Sequence, residues 1–159
     1  MEQPAIVYLS RQRLVELENE LRTLKTSERK KIAEKIAEAR GHGDLSENAE
    51  YDAAKEAQSH LEMKINKLEN LLSRAKIIDP HDIPDGEVYM LTNVKVHDVN
   101  YNEDITFIIV SPDEADFEQD KISVTSPLGK ALLGKKVGDT AIVEMPGSKI
   151  EYKILAISK

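Results

Sequence analysis

The sequence contains no cysteine and no tryptophan among its 159 residues. Without cysteine, disulfide bridges, thiolate zinc sites and cysteine nucleophiles are all excluded. Aromatic residues make up only 4% of the chain, which suits extended helices better than a deep ligand pocket. No apolar run approaches the roughly 18 residues of a membrane span, and the first residues lack the layout of a secretory signal. We therefore expect a cytoplasmic protein that makes no contact with membranes.

The net charge of −7 is distributed unevenly along the chain. Residues 1–78 contain 14 basic and 14 acidic side chains, whereas residues 79–159 contain 8 basic and 15 acidic ones. An acidic surface repels phosphates, so the second half is a poor candidate for binding nucleic acid. Any such contact is expected from local clusters of bases in the first half.

Two long helical patterns, residues 11–40 and 47–75, flank a short break that contains Gly41 and Gly43. Apolar residues recur at the 3,4 spacing of a coiled coil, as in Leu14, Leu17, Leu21, Leu24, Ile32, Ile36 and Ala39 of the first pattern. From Leu24 to Ile32 is eight residues, one more than a heptad, which predicts a local relaxation of the supercoil. The seam shrinks to Ala39 and Ala54 near the break, so the backbones are expected to approach closely there.

The short break favours an antiparallel hairpin within one chain. The alternative is a coiled-coil oligomerisation module in which each helix pairs with another chain and the mass depends on concentration. We predict a monomer.

Two prolines and a glycine in residues 77–86 end the helical periodicity and place a domain boundary after residue 78. Period-two segments then predict strands over residues 88–99, 101–110, 121–124, 140–144 and 149–157. Ser126 and Pro127 predict the N-cap and first position of a short helix, 128–133, that Gly134 closes. The expected fold is thus α+β with two domains: a long antiparallel coiled-coil hairpin, 1–78, and a small antiparallel β-sheet domain with a short helix, 79–159.

The tip of the hairpin, residues 41–51, and the next residue carry four carboxylates: Asp44, Glu47, Glu50 and Asp52. One interpretation is a capping box, with Asp44 as the N-cap of the second helix and Glu47 at its third position. The other is that Asp44 and Glu47 share one hard cation such as Mg²⁺, which prefers oxygen ligands. Two carboxylates supply only part of such a site, so another macromolecule would complete it.

Basic residues flank the tip, with Arg40 before it and Lys55 after it. A solvated helix face with ion pairs is the ordinary explanation of such residues. Arg40 and Lys55 are nevertheless about equally far from the tip, so we expect them to lie near each other, where they could hold a phosphodiester backbone. Tyr51 begins the second seam, where core packing is the default, and His42 is expected to be a surface residue.

The segment Ala37-Glu-Ala-Arg-Gly-His-Gly-Asp-Leu-Ser-Glu-Asn-Ala-Glu-Tyr-Asp-Ala-Ala-Lys-Glu56 closely resembles the signature of the bacterial Gre transcript cleavage factors, of the A type rather than the B type. Residues 114–116 and 122–135 resemble the C-terminal half of the same family. The resemblance covers nearly the whole chain, from about Leu9 to Ile157.

The resemblance implies that the protein binds RNA polymerase at its secondary channel and stimulates cleavage of the 3′ end of backtracked nascent RNA. The protein would not be an independent enzyme. The family's catalytic acid pair falls on Asp44 and Glu47, which would share a Mg²⁺ ion completed by the polymerase and orient the attacking water.

The resemblance also assigns the remaining sites. Asn48 and Tyr51 would shape the tip, and Arg40 and Lys55 would guide the extruded RNA. The C-terminal domain would have the FKBP-like fold and dock on the polymerase through Ser126 and Pro127. This chain departs from the family at Lys30, where relatives commonly have proline.

Two further functions stay open at this point. A related regulator could enter the channel and inhibit the polymerase without promoting cleavage, although both tip acids are present here. The C-terminal fold also suggests a peptidyl-prolyl isomerase, but residues 79–159 contain few aromatics for a proline pocket: Tyr89, Tyr101, Phe107, Phe117 and Tyr152.

Overall fold

The computed structural model describes residues 5–43 and 48–159, which form two compact units. One unit is Gln12–Arg74, and the other combines the described residues up to Arg11 with Ala75–Lys159. Within these residues, none of the helices has both the length and the apolar character needed to cross a membrane.

The first unit is the expected helical hairpin. Its first arm consists of α1 (Arg11–Thr23), a π-helical segment (Leu24–Glu28) and α2 (Arg29–Arg40), and its second arm is α3 (Ala49–Ser73). Lys25 pairs with Glu69 and Arg29 pairs with Glu62 across the arms, so the arms run antiparallel. The apolar seam is buried between them, in particular Leu17, Leu24, Ile36, Ala39, Ala54, Leu61, Ile65 and Leu68.

The eight-residue interval in the first seam coincides with the π-helical segment. The backbone N–H of Arg29 bonds to the carbonyl of Leu24, five residues back instead of the usual four. The sequence predicted a relaxed supercoil here, and the structure takes up the extra residue more locally, in one wide turn.

The second unit begins with a strand that precedes the hairpin. Strand β1 (Val7–Leu9) pairs in parallel with β2 (Ala75–Ile77), which follows the hairpin directly. Residues on both sides of the hairpin therefore belong to the C-terminal unit, and the units divide near residues 11 and 74. The boundary after residue 78 was predicted from the loss of helical periodicity. That loss marks the end of a helix, but it does not show that β2 already pairs with β1.

The remainder of this unit is a curled five-stranded sheet of order β5-β4-β3-β7-β6 with one short helix, α4 (Pro127–Leu132). The strands are β3 (Asn93–Asp98), β4 (Glu103–Val110), β5 (Lys121–Ser123), β6 (Thr140–Met145) and β7 (Ser148–Ser158). Pairings β3–β4, β3–β7 and β6–β7 are antiparallel as expected, whereas β5 runs parallel to β4. Its core contains Val94, Val96, Phe107, Ile109, Ile122, Leu132, Val143, Tyr152 and Ile154.

Strand β3 begins five residues later than the sequence predicted, at Asn93 instead of Val88. A turn occupies the intervening residues: Leu91 has a positive φ of 68°, and both the backbone N–H and the hydroxyl of Thr92 bond to the carbonyl of Tyr89. Val88 is nevertheless buried. Its backbone N–H donates to the carbonyl of Lys135, and its carbonyl accepts from the N–H of Gly134, both of which follow α4. The alternation of apolar residues in the sequence thus indicates that Val88 is buried, although Val88 lies outside strand β3.

Candidate functional site

Asn48 ties the two arms together at the tip of the hairpin. Its side-chain oxygen accepts a hydrogen bond from the backbone N–H of Tyr51 at 3.1 Å, which makes Asn48 the N-cap of α3. Its side-chain nitrogen donates to the carbonyl of Ala39 in the last turn of α2 at 2.7 Å. One amide group thus satisfies an orphan donor of one helix and a carbonyl of the other.

The cap at Asn48 corrects the capping-box interpretation of the sequence. Helix α3 starts at Ala49, so Asp44 is not its N-cap. Asn48 has the extended backbone of an N-cap, with φ −89° and ψ 97°. The acids Glu50 and Asp52 do lie in the first turn of α3, where the helix dipole favours negative charge.

Arg40 and Tyr51 form a second link between the arms. The guanidinium carbon of Arg40 lies 6.0 Å from the centre of the Tyr51 ring, within the range of a cation–π contact. His42, in the turn after α2, adds a third link, because its Nδ1 lies 2.9 Å from a carboxylate oxygen of Glu50. Sequence reasoning missed this pairing, although the acid in the first helical turn was the available signal.

The sequence predicted that Arg40 and Lys55 lie near each other. In the structure Arg40 contacts Tyr51, whereas the Lys55 ammonium donates to the side chain of Gln58 at 2.9 Å. Both side chains are exposed, and their closeness to each other stays a prediction. Between the arms lies a shallow groove of ≈ 400 Å³, lined by Lys35, Glu38, Ala39, Glu50, Ala53, Ala54 and Ala57.

Asp44 and Glu47, the predicted acid pair and shared Mg²⁺ ligands, lie outside the described residues. The structure describes the residues that flank this segment. Gly43 has a positive φ of 99°, a conformation that glycine adopts without steric cost. The segment therefore begins after a glycine turn and ends at the Asn48 cap.

Ser126 and Pro127 begin α4 as predicted. The Ser126 hydroxyl accepts from the backbone N–H of Gly129 at 3.0 Å and donates to the carbonyl of Ser123 at 2.6 Å. Pro127 occupies the first helical position and is exposed. Gly129 is required for close packing here, since a Cβ atom would lie 2.1 Å from the Ser123 carbonyl oxygen. The loop thus holds an exposed proline on a tightly bonded turn.

The aromatic residues of the C-terminal unit are dispersed, and two of them, Tyr8 and Tyr89, line one groove. Phe107 and Tyr152 pack edge-to-face in the core with ring centres 5.9 Å apart, while Tyr101 and Phe117 are 76% and 83% exposed. Tyr89 lines a groove of ≈ 550 Å³ whose other walls are mostly aliphatic and polar: Tyr8, Lys76, Ile77, Ile78, Asp82, Met90, Val124 and Leu133. This distribution does not support the isomerase alternative.

Asp79, His81 and Asp82 bring possible ligand atoms within 4.8 Å of one another. These groups have structural roles: Asp82 accepts from the backbone N–H of Asp79 at 3.1 Å, and Asp79 pairs with Arg11 at 3.6 Å. The cluster shapes the short 3₁₀ turn that follows β2.

Comparisons with known proteins give consistent results along the chain. Residues 7–77 match the family model described as transcription elongation factor, N-terminal, and residues 83–159 match the model described as transcription elongation factor, GreA/GreB, C-term. A curated relative, transcription elongation factor GreA of Prosthecochloris aestuarii, is 50% identical over 153 residues, which are 95% of this chain and 96% of the relative.

A second relative with the same name, from Chlorobaculum parvum, is 51% identical over 152 residues, 95% of this chain and 96% of its own. Among solved structures, GreA factor homolog 1 (Gfh1) of Thermus thermophilus is 30% identical, with 97% of this chain and 99% of that chain covered and a TM-score of 0.44.

Proposed function

This chain belongs to the GreA/GreB family of transcription elongation factors, and on that premise we propose that it binds RNA polymerase at the secondary channel and stimulates cleavage of backtracked RNA. The chemistry belongs to the polymerase, and this protein contributes residues to it without being an enzyme itself. The nascent RNA 3′ end is the second partner, met only within the complex.

The observation that supports this proposal best is the construction of the hairpin tip. Asn48 bonds to Ala39 across the arms, and Arg40 lies against Tyr51, so the helix ends on both sides of residues 41–47 are tied to each other. The described residues on either side of Asp44 and Glu47 are thereby tied together at the end of a narrow two-helix arm. Such an arm suits the delivery of acidic groups into a confined channel.

Asp44 and Glu47 are a donor set that fits Mg²⁺, since this ion prefers carboxylate oxygens and keeps several other ligands. When bound, Mg²⁺ would supply charge stabilisation at the phosphoryl group under attack. Asp44 and Glu47 would hold the ion from one side only, with the polymerase completing the site. We expect the free protein to bind Mg²⁺ weakly for the same reason.

The basic and docking residues have complementary proposed roles. The exposed side chains of Arg40 and Lys55 would neutralise phosphates of the extruded RNA. The exposed Pro127, held by the bonds of Ser126 to Gly129 and Ser123, would form part of the docking surface for the polymerase.

The decisive experiment uses a backtracked RNA polymerase complex with 3′-labelled RNA and Mg²⁺. The native protein should release short 3′ fragments, whereas the Asp44→Asn/Glu47→Gln variant should bind equally well and release none. An Asp52→Asn variant removes a nearby acid from the first turn of α3 and serves as the matched control. If both native protein and double variant bind without speeding cleavage, the chain is instead a regulator that inhibits from the channel.

We further propose that the protein is a monomer and that it lies in the cytoplasm, where RNA polymerase transcribes. This proposal is supported by the burial of the apolar seam between the two arms of one chain, as at Leu17, Ile36 and Ile65. Sedimentation should give the mass of one chain, 17.9 kDa, at all concentrations. A mass that rises with concentration would support the oligomerisation alternative.

A further inference from the structure

The π-helical segment Leu24–Glu28 is held by bonds that a regular helix does not need. In addition to the bond from Arg29 N–H to the Leu24 carbonyl, two hydroxyls bond to the backbone four residues back: Thr26 to Arg22 at 2.8 Å and Ser27 to Thr23 at 3.2 Å. Hydroxyl bonds of this kind compete with the backbone hydrogen bonds of a helix and bend it locally, which favours an irregular turn at this place. No proline lies in the arm to force the irregularity.

The segment changes the rotational phase of the first arm. Ile36 follows Leu24 by twelve residues, and on a regular helix it would lie about 120° around the axis from Leu24. With one residue taken up in the wide turn, the offset is that of eleven residues, about 20°. Both side chains are in fact buried in the same seam, at 7% and 8% exposure.

The segment is also the place where the arms begin to pack closely. Lys25, within it, pairs with Glu69 of α3 at 2.8 Å, and Arg29, directly after it, makes two hydrogen bonds of 2.9 Å to Glu62. From there to the tip α2 lies closer to α3 than α1 does, and the seam ends in the small buried residues Ala39 and Ala54. The wide turn is therefore fixed to the second arm at both of its ends.

We propose that Leu24–Glu28 is a positioning element that sets the phase of α2, and with it the direction in which the tip presents its carboxylates. Thr26 and Ser27 are its positioning residues, because their hydroxyls stabilise the wide turn. This inference rests on the proposed function for its consequence in cleavage, but the phase of α2 can be measured independently.

The first variant deletes Thr26. The arm then returns to a regular helix in which Ile36 follows Leu24 by eleven residues, so α2 keeps its native phase relative to α1, with an offset of about 20°. Since the chain has no cysteine, spin labels at Lys35→Cys and Ser59→Cys report the arrangement of α2 and α3 in the full-length protein. The deletion should keep the native label distance, because it removes the extra residue together with the wide turn and leaves the phase of α2 unchanged.

The second variant keeps the deletion and inserts one alanine after Lys31, which restores the twelve-residue interval from Leu24 to Ile36 without the wide turn, so α2 turns by about 100° relative to α1. It should shift the label distance by several ångströms or broaden its distribution, because labels stand about 5 Å or more from the helix axis. It should also lower the cleavage rate at saturating factor on the order of 100-fold, whereas the deletion alone, which is the matched control, should keep the native rate. The factor concentration for half-maximal effect should stay unchanged, because docking residues are untouched.

Two milder variants test the hydroxyl groups of Thr26 and Ser27. Thr26→Ala/Ser27→Ala should broaden the label distance and lower the saturating cleavage rate, whereas Ser73→Ala, which removes a similar hydroxyl bond to Asn70 at the other end of the hairpin, should not. Native distance and native cleavage in the variant that combines the deletion with the inserted alanine overturn the inference. If native protein stimulates no cleavage at all, the proposed function fails, while the label distances still decide whether the segment sets the phase.

Discussion

At the scale of single residues, Asn48 uses the two atoms of one amide for two different purposes. Its oxygen caps α3 at Tyr51, and its nitrogen reaches the Ala39 carbonyl of α2. Asn48→Asp keeps the acceptor and loses the donor, whereas Asn48→Ala loses both. We expect thermal unfolding to show Asn48→Ala as less stable than Asn48→Asp by about 1 kcal/mol, the usual worth of an N-cap.

The effect of the hydrogen bond from Asn48 to the Ala39 carbonyl can be measured separately, as a change in RNA cleavage. Asn48→Asp should reduce RNA cleavage despite its intact cap, because Ala39 is no longer tied to the start of α3. Equal cleavage by native protein and Asn48→Asp would mean that the bond to Ala39 does not position the tip.

Gly129 is a second residue whose identity follows from local geometry. A Cβ atom at this position would lie 2.1 Å from the Ser123 carbonyl oxygen and 3.0 Å from the Val124 Cα, and both are backbone atoms that cannot rotate away. Gly129→Ala should therefore destabilise the protein by about 1–3 kcal/mol, the typical cost of overpacking. Chemical denaturation measures this, with Lys130→Ala, an exposed position in the same helix, as the control. An unfolding free energy equal to the native one would contradict the clash.

At the scale of elements, the arms carry a pH-dependent link. The two hydrogen bonds from Arg29 hold the pKa of Glu62 below its ordinary value. A lowered pKa in the folded state means that the link stabilises the protein above the ordinary glutamate pKa, and that this contribution is lost as the pH falls through the lowered value. Glu62→Gln should thus lower the melting temperature at neutral pH, and the difference from native protein should vanish in acid.

Both partners are exposed, so the effect should be small and should weaken in high salt. Glu18→Gln removes an exposed carboxylate from the first arm and controls for net charge. A constant difference between Glu62→Gln and native protein from neutral to acid pH would refute the assignment.

Elements that depend on local sequence were predictable here. The hairpin arms follow from the repeated 3,4 spacing, and α4 follows from Ser126, Pro127 and Gly134, each with a local conformational reason. The π segment was predictable only as an irregularity, because an extra residue between Leu24 and Ile32 can be spread over many turns or taken up in one. Its two supporting hydroxyls decide between these options and are recognised only in three dimensions.

Elements that depend on distant pairing were not predictable. Strand β1 pairs with β2 across the whole length of the hairpin, and β5 is parallel to β4 after only residues 111–120. Three-residue strands carry too little pattern to specify a partner. At the site, the motif identified Asn48 and Tyr51, but the assignment of the cap to Asn48 instead of Asp44 required the backbone geometry.

At the scale of the whole molecule, charge is distributed unevenly along the chain. Residues 1–78, which contain the hairpin, are neutral overall and carry the basic residues near the tip, whereas the acidic residues 79–159 contain the exposed Pro127. If one unit docks and the other delivers the carboxylates, changes in the two units should have kinetically different effects. Loss of docking weakens binding alone, whereas loss of the acids removes an interaction made only in the transition state.

Pro127→Ala should therefore raise the concentration of factor needed for half-maximal cleavage while leaving the rate at saturation near the native value. Helix α4 should survive this change, since its cap is the Ser126 hydroxyl and Pro127 is exposed. Asp44→Asn/Glu47→Gln should behave in the opposite way, with no recovery at any concentration, and should compete with native protein for the polymerase. Titrating each variant against backtracked complexes measures both quantities. If excess Pro127→Ala does not restore cleavage, the proline does more than dock, and the division of labour between the two units is wrong.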